Sequence, residues 1–177
     1  MYPALVFISL MCVLFQFDPI QAWVVWDHNA IADGQWWRIV TGNFSHTNLS
    51  HLAMNLIGLW VISYLFQPNA IRLITSLLII SLFTGTGLLL TNIQSYVGLS
   101  GTLHGLFGFF ALTEALTGRR SSWLLVGGLI VKVAWEQFVG PSTTTGALIN
   151  ARVAIEAHLL GAVGGFILAW LRLKRWT

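Results

Sequence analysis

Six stretches of this chain are almost purely apolar and run for about the number of helical residues that a bilayer requires: residues 2–17, 49–67, 71–90, 97–116, 122–139 and 153–171. A helix rises 1.5 Å per residue, so about 20 apolar residues cross a hydrocarbon core roughly 30 Å thick. Lipid offers no partner to a backbone N–H or C=O, so such segments have to satisfy their own hydrogen bonds as helices. The expected fold is therefore an all-α membrane protein, a six-transmembrane-helix bundle. Composition agrees: 56% of the 177 residues are hydrophobic and 8% charged, against about 25% charged residues in soluble domains. That balance excludes a soluble globule.

No composition shift, low-complexity tract or repeat divides the chain, so residues 1–177 read as one membrane domain. The formal charge of +3 comes with no basic stripe, and no nucleic-acid partner is expected. Cys12 is the only cysteine, which leaves neither a disulfide framework nor a thiolate metal site. The first run lacks the basic flank and small-residue cleavage site of a signal peptide; it reads as a retained span, short unless the chain begins upstream.

Residues 18–48 are too polar to cross, and Trp23, Trp26, Trp36 and Trp37 suit the headgroup layer. The other links are short, broken at Gln67, Pro68 and Asn69, at Gly118, and at the stretch GPSTTTG over 140–146. With six spans, Arg72, Arg119, Arg120, Arg172, Lys174 and Arg175 fall on the side of the N-terminus, and only Arg38 and Arg152 on the other. Cytoplasmic loops carry the excess of lysine and arginine, which puts both termini in the cytoplasm. Spans two, four and six then all begin at the outer surface.

Polar groups at depth are costly and mark function more often than packing. His51 and Asn55, Ser100 and His104, and His158 lie near the starts of spans two, four and six. Each is within about 10 Å of the outer surface at 1.5 Å per residue. Residues four apart share a helix face, which pairs His51 with Asn55 and Ser100 with His104. Gly161 and Gly165 have the small-xxx-small spacing that lets membrane helices approach closely, on the face that carries His158. A close approach of spans four and six brings a hydroxyl to an imidazole, a nucleophile to a general base. A lone membrane serine commonly bonds its own backbone one turn earlier, and histidines also serve as interhelical glue, metal ligands or proton carriers. Spacing alone leaves a serine enzyme and a metal or proton pathway both open.

The motifs go further. GLSG at 98–101 resembles the nucleophile motif of the rhomboid intramembrane serine proteases, and AHLLGAVGG at 157–165 is similar to their histidine helix. SHTNLSHLAMN at 45–55, with His46, His51 and Asn55, resembles their second helix, and Trp37–Arg38 matches a pair in their first external loop. The likeness runs through nearly the whole chain in the right order. It implies that Ser100 is the nucleophile and His158 its general base, a dyad without aspartate. It also implies that His51 and Asn55, with the Ser100 N–H and the flanking Gly98 and Gly101, hold the oxyanion. His46 and Arg38 are then structural. Most rhomboids carry tyrosine four residues after the serine; His104 stands there instead and resembles the rhombosortase branch. That likeness implies membrane-anchored protein substrates ending in Gly-Gly, a hydrophobic helix and a basic tail, cleaved at the outer face of a bacterial inner membrane. Hydrolysis and transfer to an amine both remain open, and no cofactor or metal is expected.

Lys132 and Glu136, four apart in span five, read as a self-neutralising structural pair. Glu114 is expected at the cytoplasmic end, Glu156 in water, and Asp18, Asp27 and Asp33 in or beside the external loop. None of these acids is expected to complete a triad. Two other classes compete: a metal- or haem-binding membrane protein using His51, His104 and His158, and an inactive rhomboid-like protein that binds clients. A base that must be neutral predicts activity falling as His158 protonates.

Overall fold

The computed structural model describes residues 1–173. Its helices are α1 (Tyr2–Leu14), α2 (Asp18–Val24), α3 (His28–Ala32), α4 (Arg38–Thr41), α5 (Leu49–Phe66), α6 (Ala70–Leu88), α7 (Ser100–Leu116), α8 (Ser122–Val139), α9 (Thr143–Ile149) and α10 (Ile155–Leu173). Among the described residues, α5, α6, α8 and α10 are each long and apolar enough to cross a membrane. The pair α1 and α2 qualifies as a fifth only as one span bent by 103°. The expected fourth span begins three residues later than its apolar run, at Ser100, because Gly98 has φ +125° and cannot belong to a helix. Lys174 and Arg175 lie outside the described residues.

The helix boundaries follow local chemistry. Asn48 and Asn69 cap α5 and α6, their side chains accepting from the His51 and Arg72 N–H groups at 2.8 Å each. Gln67 closes α5 in the left-handed conformation. The faces turned outward carry large apolar side chains, among them Ile71, Leu124 and Phe138. In water these would be a liability; against lipid chains they are the expected surface. Leu59, Leu73, Ile80, Leu106 and Phe109 form the buried centre between α5, α6 and α7.

The connection from α1 to α5 folds into short helices rather than an open loop. Trp26–Asp27 (β1) pairs antiparallel with Ser95–Tyr96 (β2), tying it to the approach to α7. Of the tryptophans expected in the headgroup layer, Trp23, Trp36 and Trp37 are exposed, but Trp26 is fully buried. Its indole Nε1 donates to the Gly85 carbonyl at 2.9 Å, and a Cβ on Gly42 would collide with it. A buried network of Asn43, Ser81 and Thr102 joins the same segment to α6 and α7, with Thr102 Oγ1 donating to Asn43 Oδ1 at 2.9 Å. A short helix, α9, occupies the stretch expected to be only a break.

Charge segregates along the bundle. Arg72 near the start of α6 and Arg172 near the end of α10 both stand over the Phe109 ring, 5.3 and 5.9 Å from its centroid. Glu114 joins Arg119 at 3.1 Å at the same end, as expected of it. The starts of α5, α7 and α10 lie at the opposite end.

Candidate active site

At that opposite end a cleft of about 310 Å³ is lined by Ser100, His104, His158, His51 and Asn55, together with Tyr96. All five polar side chains singled out by their depth therefore face one space.

Ser100 is the first residue of α7. A Cβ on Gly98 would lie 2.7 Å from His51 Cε1 and Nε2, so glycine there permits both the turn and the approach of the imidazole. The Tyr96 hydroxyl donates to the Gly98 carbonyl at 2.5 Å, and burial pushes that phenol up, keeping it a donor. The Ser100 N–H belongs to a first helical turn, whose N–H groups lack intrahelical acceptors and lie at the positive end of the helix dipole.

His158 reaches Ser100 across a seam without side chains. A Cβ on Gly161 would fall on the Gly101 carbonyl, one on Gly165 on the Gly105 carbonyl, and one on Gly101 would lie 2.8 Å from the Ala157 carbonyl. The backbones of α7 and α10 are thus in direct contact, as the glycine spacing predicts. This proximity puts His158 Nε2 2.9 Å from Ser100 Oγ. His104 stacks on His158, centroids 4.1 Å apart and planes at 16°. Its Nδ1 lies 2.7 Å from the Ser100 carbonyl, which only accepts, so Nδ1 carries the proton.

One expectation fails. No carboxylate is predicted beside the base, yet Glu136 Oε2 is 2.9 Å from His158 Nδ1. The predicted Lys132–Glu136 pair does form, at 2.8 Å, but it points at α10 and α7. Lys132 Nζ also bonds His104 Nε2 and lies 3.3 Å from His158 Nδ1. Spacing shows that two residues share a face and is silent on which neighbour the face meets. Sequence reasoning also passed over Tyr96, whose signal, an aromatic two residues before Gly98, is weak on its own.

His104, Glu136 and His158 each offer a donor atom within 4.8 Å of the others, a possible cation site. The Lys132 ammonium already lies within hydrogen-bonding reach of all three. His51, invoked in the metal alternative, is not part of this group.

His51 and Asn55 hold the far wall. The Thr47 N–H faces His51 Nδ1 at 3.4 Å, and the Thr47 hydroxyl gives its proton to the Ile149 carbonyl at 2.7 Å. His51 Nδ1 also lies 3.1 Å from that hydroxyl oxygen, so Thr47 holds the ring from both its N–H and its side chain with Nε2 turned towards Gly98. Asn55 Nδ2 donates one proton to the His51 carbonyl at 3.0 Å, leaving the second.

Residues expected to be structural behave so. Arg38 donates to the Val25 and Ala22 carbonyls at 2.7 and 2.9 Å, stapling the external segment. His46 is buried edge-on to His51, and burial, with His51 beside it, lowers its pKa to about 3. Asp27 caps α3. Glu156, expected in water, is instead half-buried and pairs with Arg152 at 2.5 Å.

Comparison with known proteins gives a consistent result. Residues 33–175 match the Rhomboid domain family. YdcA of Bacillus subtilis (strain 168), a candidate rhomboid protease, is 27% identical over 99% of this chain and 91% of its own length. The rhomboid proteases GlpG of Yersinia pestis (strain Pestoides F) and of Yersinia pseudotuberculosis serotype O:3 (strain YPIII) are each 30% identical over 85% of this chain. The match spans 53% of their length, so this chain corresponds to about half of GlpG.

Proposed function

We propose, because this chain belongs to the rhomboid family, that it is an intramembrane serine endopeptidase with Ser100 as nucleophile and His158 as general base. The observation that carries this reading is the 2.9 Å contact between Ser100 Oγ and His158 Nε2, in a cleft that also presents free N–H donors. A serine hydroxyl is a poor nucleophile until a neighbouring base takes its proton. As Oγ bonds to the scissile carbonyl carbon, Nε2 receives the proton and the carbonyl oxygen becomes an oxyanion. On this reading the Ser100 N–H, the second Asn55 N–H and His51, in the tautomer that carries Nε2–H, receive that charge. Nε2 then gives its proton to the leaving amine as the C–N bond breaks, and water releases the acyl group by the reverse route.

The substrates on this reading are membrane-anchored exported proteins with a C-terminal Gly-Gly, a hydrophobic helix and a basic tail. Support comes from His104 in the place where most rhomboids carry tyrosine, and from glycine's fitness for an extended backbone reaching a recessed serine. The protein crosses the bacterial inner membrane six times, with α7 and the α1 region completing the four longer spans. Arg72, Arg119, Arg120 and Arg172 put the basic end and both termini in the cytoplasm, and the cleft opens to the periplasm.

The experiment that tests the chemistry is peptide mapping after incubation with a fluorophosphonate. Ser100 acquires the adduct in the wild type and no adduct forms in His158→Ala. An adduct on another residue would remove Ser100 as the nucleophile, and none on the folded wild type would leave a client-binding protein.

A further inference from the structure

Resting on the serine-endopeptidase reading, we propose that Glu136 is the third member of a Ser100–His158–Glu136 triad, a positioning residue that fixes the tautomer of the base. Lys132 and His104 hold the carboxylate in place.

The assignment follows from proton bookkeeping. For His158 to accept from Ser100, its Nε2 has to carry a lone pair, so its single proton sits on Nδ1. The nearest acceptor to that N–H is Glu136 Oε2 at 2.9 Å. The Lys132 ammonium, 3.3 Å from Nδ1, has only protons to offer and is satisfied elsewhere. It donates to Glu136 Oε2 at 2.8 Å and to His104 Nε2, which is free to accept because His104 Nδ1 gives its proton to the Ser100 carbonyl. Both ring N–H groups then have an acceptor. The chain of hydrogen bonds starts at the Ser100 carbonyl, passes through His104, Lys132, Glu136 and His158, and returns to the Ser100 hydroxyl. Reversing the His158 tautomer would leave Nε2–H aimed at the hydroxyl oxygen and Nδ1 without its carboxylate bond.

The chemical consequence is twofold. Glu136 selects the tautomer able to act as a base, and its charge faces the imidazolium that forms when the Oγ–H proton moves to Nε2. The Nδ1 proton stays on His158 throughout and Glu136 stays ionised, so the carboxylate orients and stabilises without receiving a proton. Lys132 does not cancel this role. It donates to the same oxygen, Oε2, that accepts from His158 Nδ1, and so holds that oxygen beside the imidazole.

The test uses the purified full-length protein in detergent and the rate at which a fluorophosphonate inactivates Ser100, a readout that requires no natural substrate. Glu136→Gln is isosteric; an amide oxygen in the place of Oε2 still accepts from Lys132 and from His158 Nδ1, so the substitution removes the charge that faces the imidazolium while keeping the contacts. Its limiting inactivation rate is expected to fall at least about 10²-fold, with about 10⁴-fold, the loss when the triad aspartate of a serine protease becomes asparagine, as the upper end. Reagent affinity and Tm should stay close to wild type. Glu136→Asp keeps the charge but is a methylene shorter, so it should recover at least about tenfold over Glu136→Gln. A purely structural ion pair predicts the opposite order, with the isosteric amide the better of the two. A Glu136→Gln rate within about threefold of wild type, or an aspartate variant no faster than the glutamine one, overturns the triad and leaves the dyad standing. A wild type that is not labelled at Ser100 overturns the endopeptidase reading and the triad with it.

Discussion

Of the helices packed on α7, α10 and α8 are held against it in different ways. Against α10 the contact is backbone on backbone, with Gly101 and Gly105 meeting Ala157, Gly161 and Gly165 so closely that a single Cβ would collide with a carbonyl. Against α8 the packing is sparse: Gly127 and Gly128 face nothing within 4 Å, and most of the helix surface is left to lipid. The tight seam carries the two groups that exchange a proton, Ser100 and His158. The loose helix carries Lys132 and Glu136, which reach the base only through long side chains. Reacting atoms need placement to a few tenths of an ångström, which direct backbone contact supplies. A carboxylate that orients a ring through one hydrogen bond tolerates a less rigid support.

The difference can be broken at the seam. Gly161→Val places a side chain where the Gly101 carbonyl lies, and overpacking of this kind costs on the order of 3 kcal/mol. Thermal melts in detergent should show a large loss of Tm, with fluorophosphonate labelling of Ser100 lost in any protein that remains folded. Preserved labelling would mean that the seam does not set the distance between Ser100 and His158.

Another neighbour of α7, α5, carries Asn55, the proposed oxyanion donor. Removing one oxyanion donor by Asn55→Ala should lower the turnover rate about 10²- to 10³-fold with little change in Tm. A rate near wild type would remove Asn55 from the oxyanion site.

Behind that wall, His46 supplies a pH effect on stability. Its folded-state pKa of about 3 lies below the ordinary value of 6.5, so the unfolded chain binds the extra proton between those limits. The contribution is complete above pH 6.5 and is lost as pH falls from there towards 3, at up to about 1.4 kcal/mol per pH unit. Unfolding of wild type and His46→Gln at several pH values should show the weaker dependence in the variant. Parallel curves would contradict the assignment.

The smallest effect belongs to the loose side. Gly128→Ala meets no neighbour, and stability should change by less than about 1 kcal/mol in either direction. A loss as large as that of Gly161→Val would show that α8 packs as tightly as α10.

Much of this contrast is legible in the sequence, unevenly. The seam is visible because Gly161 and Gly165 sit four apart on the face of His158, and close approach has few other causes. The limits of α8 are visible because Arg119, Arg120 and Gly140 bracket one apolar run. The meeting of His158 with Glu136 is not visible, since periodicity assigns a face to each helix but no azimuth between helices. Trp26 misleads for a related reason. A tryptophan in a polar connection suits the headgroup layer, and only the close approach of Gly42 and the Gly85 carbonyl reveal that it is buried. The start of α7 moves to Ser100 because hydropathy does not see that Gly98 has to leave helical φ.

The most direct measurement is cleavage of a membrane reporter carrying Gly-Gly, a hydrophobic helix and a basic tail, co-expressed with the wild type or with Ser100→Ala. The mass of the new C-terminus is read in each case. The account predicts a cut near the Gly-Gly in the wild type and none in the variant, a loss of at least about 10⁴-fold. A cut that persists in Ser100→Ala would contradict it, because the nucleophile would lie elsewhere.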